Sequence, residues 1–313
     1  MADEGQGGLA GAAAEAAMIV AAGGARACSQ TRTGWRLPGV NLRDSGGAQP
    51  AAEWLAPATP FHSAMATASS DPASARVALV IGAGDSTGGA IAKRFAREGY
   101  VACVTRRTAD KLQPLVDDIR AAGGQAHGFA SDARKEEDVV AVVEQIERDI
   151  GPIEVLVFNI GANVPCSILE ETARKYFKIW EMACFSGFLN AREVARRQVA
   201  RGRGTILFTG ATAGLRGSAG FAAFAGAKHA LRALAQSMAR ELGPRGIHVA
   251  HVVVDGAIDT EFIRTQFPDR YALKGQDGIL NPEHIADNYW HLHQQPRDAW
   301  TFELDLRPYM ETW

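Results

Sequence analysis

Several things are missing from this chain, and each absence removes a class of function. No apolar run approaches the roughly 20 residues a helix needs to cross a bilayer, so no membrane partner is expected. No excess charge of either sign is present. The 33 Lys and Arg against 35 Asp and Glu leave a net charge of -2, which gives no electrostatic reason to expect nucleic acid or an anionic surface as partner. Cysteine is scarce. Cys28, Cys103, Cys166 and Cys184 include no pair at the close spacing of a metal knuckle or redox couple. The expectation is therefore no metal site and a reducing, cytoplasmic setting. A basic leader is also missing: MADEGQGG carries acids where a secretory signal has cations, and acids argue equally against a mitochondrial presequence.

What is there divides in two. The 313 residues suit one large α/β domain or two smaller ones. Residues 1–75 are rich in Ala and Gly at first, then punctuated by Gly, Pro and polar residues without sustained periodicity. They are expected to form a disordered or peripheral extension, with Met65 a candidate start of the working chain. A small docking arm is the alternative.

Residues 76–313 read as one domain. Apolar runs of strand length (RVALVIG, YVACVT, QAHGFA, IEVLVFN, GTILFTG, IHVAHVVV and finally AWTFELDL) alternate with amphipathic stretches. One long helix is expected over residues 171–200 and another over 220–236. Near-continuous apolar strands between helices imply a parallel sheet covered on both faces, the doubly wound α/β (Rossmann) architecture.

IGAGDSTGGAIA joins the first strand to the first helix. Gly82, Gly84, Gly88 and Gly89 let the backbone turn sharply and approach a diphosphate, while the helix start offers free N–H groups. A plain tight turn would show the same glycines.

Residues 76 to about 265 resemble the short-chain dehydrogenase/reductases. That family's turn reads Gly-x-x-x-Gly-x-Gly; Gly82 and Gly88 match, and Ser86 stands at the middle glycine, where its hydroxyl can cap the helix or meet phosphate. Asp132 matches the acid that holds the adenine amino group, and Asn159 the asparagine after the fourth strand. In DGAIDT (255–260) Asp255 replaces a proline, while Gly256 and Thr260 match. The resemblance implies that Ile258 and Thr260 contact the nicotinamide amide.

The second strand ends Thr105-Arg106-Arg107, without the carboxylate that NAD-preferring members place at Thr105. Arginine meets a 2′-phosphate through paired, charge-assisted hydrogen bonds. NADP(H) is therefore expected ahead of NAD(H), with Arg106 as its reader; the bland alternative is that both arginines only begin a solvated helix.

The family's chemistry rests on Asn, Ser, Tyr and Lys. Matched here, those positions are Ala183, Ala211, Phe224 and Lys228, so only the lysine remains. Thr209 and Thr212 flank Ala211, and Tyr271 lies where the family has its substrate lid. His229 points away from Lys228 on a helix and reads as structural, while His291 and His293 have no assignment. The resulting expectation is an NADP(H)-dependent oxidoreductase with an atypical proton relay acting on a small molecule. A non-catalytic cofactor-binding sensor or partner subunit is the alternative. Homo-oligomerisation through helices near 173–200 and 221–243 is implied by resemblance alone. The C-terminal ELDLRPYMETW departs from the family's Asp-Gly-Gly ending, leaving open whether it covers the pocket or an interface.

Overall fold

The computed structural model describes residues 75–312. Apart from Ala75, the expected extension and Met65 lie outside the described residues. Seven strands form one parallel sheet in the order β3-β2-β1-β4-β5-β6-β7. They are β1 (Val77–Ile81), β2 (Val101–Arg106), β3 (Gln125–Ala130), β4 (Ile153–Phe158), β5 (Gly204–Thr209), β6 (Ile247–Val254) and β7 (Glu303–Leu306). The helices between them are α1 (Thr87–Arg97), α2 (Gln113–Ala121), α3 (Glu136–Asp149), α4 (Ala173–Trp180), α5 (Ser186–Arg201), α6 (Ala222–Leu242), α7 (Glu261–Gln266), α8 (Pro268–Tyr271) and α9 (Pro282–Gln294). None of those described is long and apolar enough to cross a membrane.

Position in the sheet explains the strand composition. Every residue of β1 and β6 is buried, because helices cover both faces of a central parallel strand. The edge strand β3 buries only Ala126, and its other residues are half-buried or exposed. Successive side chains feed two cores. Ala78, Val80 and Val252 point to one face, where they meet Phe95 of α1 and Tyr289 of α9. Leu79, Phe158 and Phe208 point to the other and meet Ile146 of α3, Val194 of α5 and Leu231 of α6. In the first core the Phe95 ring stands edge-on to Tyr100 at 5.6 Å and to Trp290 at 5.4 Å. His293 lies beside them, bonded to the Tyr100 hydroxyl at 2.6 Å and to Thr205 Oγ1 at 2.9 Å. Its place is in the packing, and burial pushes its pKa down to about 4.

One expectation is corrected. The single helix over 171–200 is interrupted by a widened turn at Glu181–Phe185 that separates α4 from α5. Across this break runs an aromatic ladder: Phe177 to Trp180 at 5.9 Å, Trp180 to Phe185 at 5.8 Å, and Phe185 to Phe188 at 6.1 Å. The Arg192 guanidinium closes it, 4.9 Å from the Phe188 ring. A helix of 3.6 residues per turn puts a residue five positions on about 140° away; the wider turn brings Phe185 back beneath Trp180.

The strand order reverses at β1, with β2 on one side and β4 on the other. Loops leaving the C-terminal ends of such strands diverge and open a crevice, the place where sheets of this kind bind ligands.

Candidate active site

The crevice begins at the glycine turn. Gly82 has φ +85°, in the region that favours glycine. Gly88 is excluded from bearing a side chain by its surroundings: a Cβ there would lie 2.5 Å from the Gly82 carbonyl oxygen and 3.0 Å from Asn159 Nδ2. That amide donates to the Gly82 carbonyl at 3.2 Å, so Asn159 splices the turn after β4 to the turn after β1. Ser86 stands at the N-cap position of α1 without a side-chain cap bond to that helix. The expected helix-capping role is therefore not seen.

Two expected binding residues arrive with partners the sequence reading missed. Asp132 accepts from Arg134 Nε at 2.8 Å and Nη2 at 2.6 Å. These bonds hold its carboxyl below the usual range despite partial burial. Arg106 reaches over the glycine turn, with Nη1 3.6 Å from Asp85 Oδ1 and 3.4 Å from the Lys111 carbonyl. Arg107 is exposed. Each unforeseen partner was adjacent in the text: Arg134 follows Asp132 by two residues, and Asp85 sits among the glycines.

Lys228 enters from α6, only 3% exposed. Its Nζ donates to the Thr209 carbonyl at 2.8 Å and to the Ile160 carbonyl at 3.1 Å, which fixes it between the loops after β4 and β5. Burial lowers its pKa from 10.5 to about 8. Beside it the structure gathers Ala183, Ala211 and Phe224 into one buried apolar cluster with Ala162, Ile179 and Cys184. The Phe224 ring centre lies 5.9 Å from Nζ. Ala183 sits inside the widened turn.

On the far side Ile258 is buried and bridges to Leu280. Thr260 Oγ1 accepts from the Ile263 N–H at 3.1 Å, capping α7. Tyr271 packs inside the lid segment against Ala257, Ile263 and Ile279, so it belongs to the lid's own core. His229 bonds to the Ala225 carbonyl one turn back at 2.8 Å, in keeping with a structural role. Thr209 is also committed: its hydroxyl meets Tyr289 at 2.7 Å. Thr212 donates to Asp255.

This arrangement can seat an elongated phosphate-bearing ligand along the crevice, with a cation of lowered pKa facing an apolar wall near its far end. Comparisons with known proteins identify the family. The family model for short chain dehydrogenases matches residues 76–271. The chain is 30% identical over 203 residues to the 3-oxoacyl-acyl-carrier-protein reductase of Pseudomonas aeruginosa, which covers 64% of this chain and 81% of that one. It is 32% identical over 196 residues to a short-chain reductase of Streptomyces niveus, covering 63% and 72%. Among solved structures, a short-chain dehydrogenase from Rhodopseudomonas palustris is 48% identical, covers 75% of this chain and 99% of its own, and has a TM-score of 0.64. A metagenomic short-chain oxidoreductase in complex with NADP is 25% identical, covers 77% and 100%, and has a TM-score of 0.65. By the family match over residues 76–271, and in keeping with its glycine turn, seven-stranded parallel sheet and buried lysine, this chain belongs to the short-chain dehydrogenase/reductase family, oxidoreductases that use a nicotinamide dinucleotide.

Proposed function

We propose that this protein is an NADP(H)-dependent oxidoreductase whose proton relay lacks the family's tyrosine and serine. The observation that carries the reading is Lys228, fixed by two carbonyls, with its pKa lowered to about 8 and its Nζ 5.9 Å from the Phe224 ring centre in an apolar cluster. The residues fit the dinucleotide: the Gly82–Gly88 turn folds so tightly on itself and on Asn159 that neither glycine has room for a Cβ, and the start of α1 presents its N–H groups to a diphosphate. Arg106 would meet the 2′-phosphate, Asp132 the adenine, Asn159 would hold the cradle, and Ile258 and Thr260 the carboxamide. When bound, the cofactor supplies or accepts the hydride.

The remaining task falls to the chain. Phe224 and Ala211 have no proton to give, so a ketone receives no help at its oxygen from either. General acid–base help is worth roughly 10²–10⁴ in rate, whereas positioning the reactants contributes roughly 7–11 kcal/mol. The site therefore suits a substrate that needs positioning more than an acid at the carbon receiving hydride, such as a conjugated C=C or an iminium. Lys228 Nζ, 5.9 Å from the Phe224 ring centre and with its pKa lowered to about 8, can hold or release a proton beside that wall. The NADP in the metagenomic neighbour and the arginine at 106 support the phosphate preference.

The absence of a hydroxyl at residues 211 and 224 also favours a second reading, a cofactor-binding sensor or partner subunit that does not turn over. Exposed Tyr176 and Phe177 on α4 support a homo-oligomer formed through α4–α5 and α6. Titration with NADPH and NADH by nicotinamide fluorescence, followed by NADPH consumption on enones and imines, tests the proposal. Tight NADPH binding with turnover supports it; binding without turnover on the panel favours the sensor, and no binding of either cofactor refutes both.

A further inference from the structure

Two oddities in the sequence, an aspartate where the family has proline and a C-terminal ending unlike the family's, meet in the structure. We propose that Asp255 is a positioning residue that pins the C-terminal segment 307–312 across the loop after β6, so that this segment fixes both loop 255–260 and the lid that follows it. Its functional consequence rests on the cofactor reading above.

The backbone makes the first connection. Proline has no N–H to donate. Here the Asp255 N–H donates to the Leu306 carbonyl at 2.8 Å, carrying the β6–β7 ladder one residue beyond the Val254–Leu306 pair. The side chain makes the second and third. One carboxylate oxygen accepts from the Thr212 hydroxyl, which neighbours Ala211. The other faces Arg307 Nη1 at 3.6 Å, with the Asp255 side chain 4% exposed and that of Arg307 14%. Arg307 is itself braced by Asp305.

From this pin the segment runs over the cofactor loop. Gly256 has φ +148°, and a Cβ on it would lie 2.7 Å from Pro308 Cδ, so the proline ring occupies the space of a side chain. Glu311 then pairs with Arg270 of α8 at 3.8 Å. Met310 Sδ lies 3.3 Å from where a Cβ on Gly278 would be. The segment thus touches the cofactor loop, the middle of the lid and its far end. Ile258 and Thr260 sit between those points, so their placement depends on the strap. Removing Arg307 would leave a nearly buried carboxylate without its cation, which loosens the loop that carries it.

The test uses the full chain. Arg307→Ala and Asp255→Asn are compared with wild type by amide hydrogen exchange and by the Kd for NADPH and for adenosine 2′,5′-bisphosphate, which engages only the adenosine end. Expected in both variants is faster exchange over residues 256–280 with β1 and α1 unchanged. NADPH should weaken about tenfold, or 1.4 kcal/mol, with the bisphosphate unaffected; Arg307→Lys should restore most of the loss. Unchanged exchange over 256–280 overturns the strap. Faster exchange with unchanged NADPH affinity, or equal weakening of both ligands, overturns the positioning role. If wild type binds neither cofactor, the cofactor reading falls, and the positioning role with it; exchange over 256–280 then decides the strap by itself.

Discussion

Replacing Lys228 by methionine separates the cost of a buried ammonium from the value of its hydrogen bonds. In the folded protein the pKa of Lys228 is lowered from 10.5 to about 8. Between those values the unfolded chain keeps a proton that the folded chain releases, so unfolding free energy rises with pH across that interval. At roughly 1.4 kcal/mol per pH unit the rise from this one group is roughly 3 kcal/mol. It is complete above pH 10.5, and below pH 8 the folded state carries the full cost. Methionine has nearly the same length and no charge, so its stability lacks this slope. It also leaves the Ile160 and Thr209 carbonyls without the Nζ donor, a loss of roughly 1–3 kcal/mol that does not vary with pH. Urea unfolding of both proteins from pH 7 to 10.5 reads the two effects apart. The difference, wild type minus Lys228→Met, should rise by roughly 3 kcal/mol, and its high-pH level gives the hydrogen-bond contribution. A difference that stays flat to within roughly 0.5 kcal/mol refutes the argument that burial has poised this lysine near neutrality.

Arg106→Ala should weaken NADPH roughly tenfold or more while leaving NADH almost unchanged. Asp85→Asn should tighten NADPH, most clearly at low salt, because it removes the anion 3.6 Å from Arg106; fluorescence titration checks both. Phe224→Tyr combined with Ala211→Ser should raise ketone reduction by roughly 10²–10⁴, followed as NADPH consumption. No gain in a variant that still binds NADPH would show that these positions do not flank the reacting carbon. Burial also holds His293 at about 4, below its ordinary 6.5. The unfolded chain therefore binds a proton that the folded chain refuses in that interval, and stability falls as pH drops from 6.5 to 4. Thermal melts of His293→Gln should show a shallower fall than wild type.

The strands could be read directly because their chemistry is local: a buried parallel strand needs a near-continuous apolar run, as in VALVI and in IHVAHVVV with its two buried histidines. The glycine turn was legible for the same reason. The break at Glu181–Phe185 was not, since EMACF contains neither proline nor glycine and its widened turn depends on what surrounds it. Helix α9 carried an Asn281 cap and Pro282 at its start, signals that identify a helix without showing which core it fills. Within the site, Lys228 and Asn159 could be placed by motif, but their hydrogen-bond partners could not. Asp132 is expected as a ligand contact from its motif, whereas nothing in the sequence marks Arg134 as its partner. Asp255 and Arg307 are 52 positions apart by their numbering, and only the pairing of β6 with β7 brings them together.

The widened turn between α4 and α5 carries one residue more than an ordinary helical turn while leaving the helices on either side nearly in phase. Deleting one residue from 181–185 would close it to ordinary spacing, five residues over one wide turn becoming four over one ordinary turn. Leu189 and Val194 would go on facing the core, and Arg192, Arg197 and Arg201 would keep Glu136, Glu144 and Glu147 on α3. The loss would fall on the turn itself, where Ala183 and Cys184 join the apolar cluster that holds Phe224. A missing residue here is therefore a change to the candidate site and not to the fold.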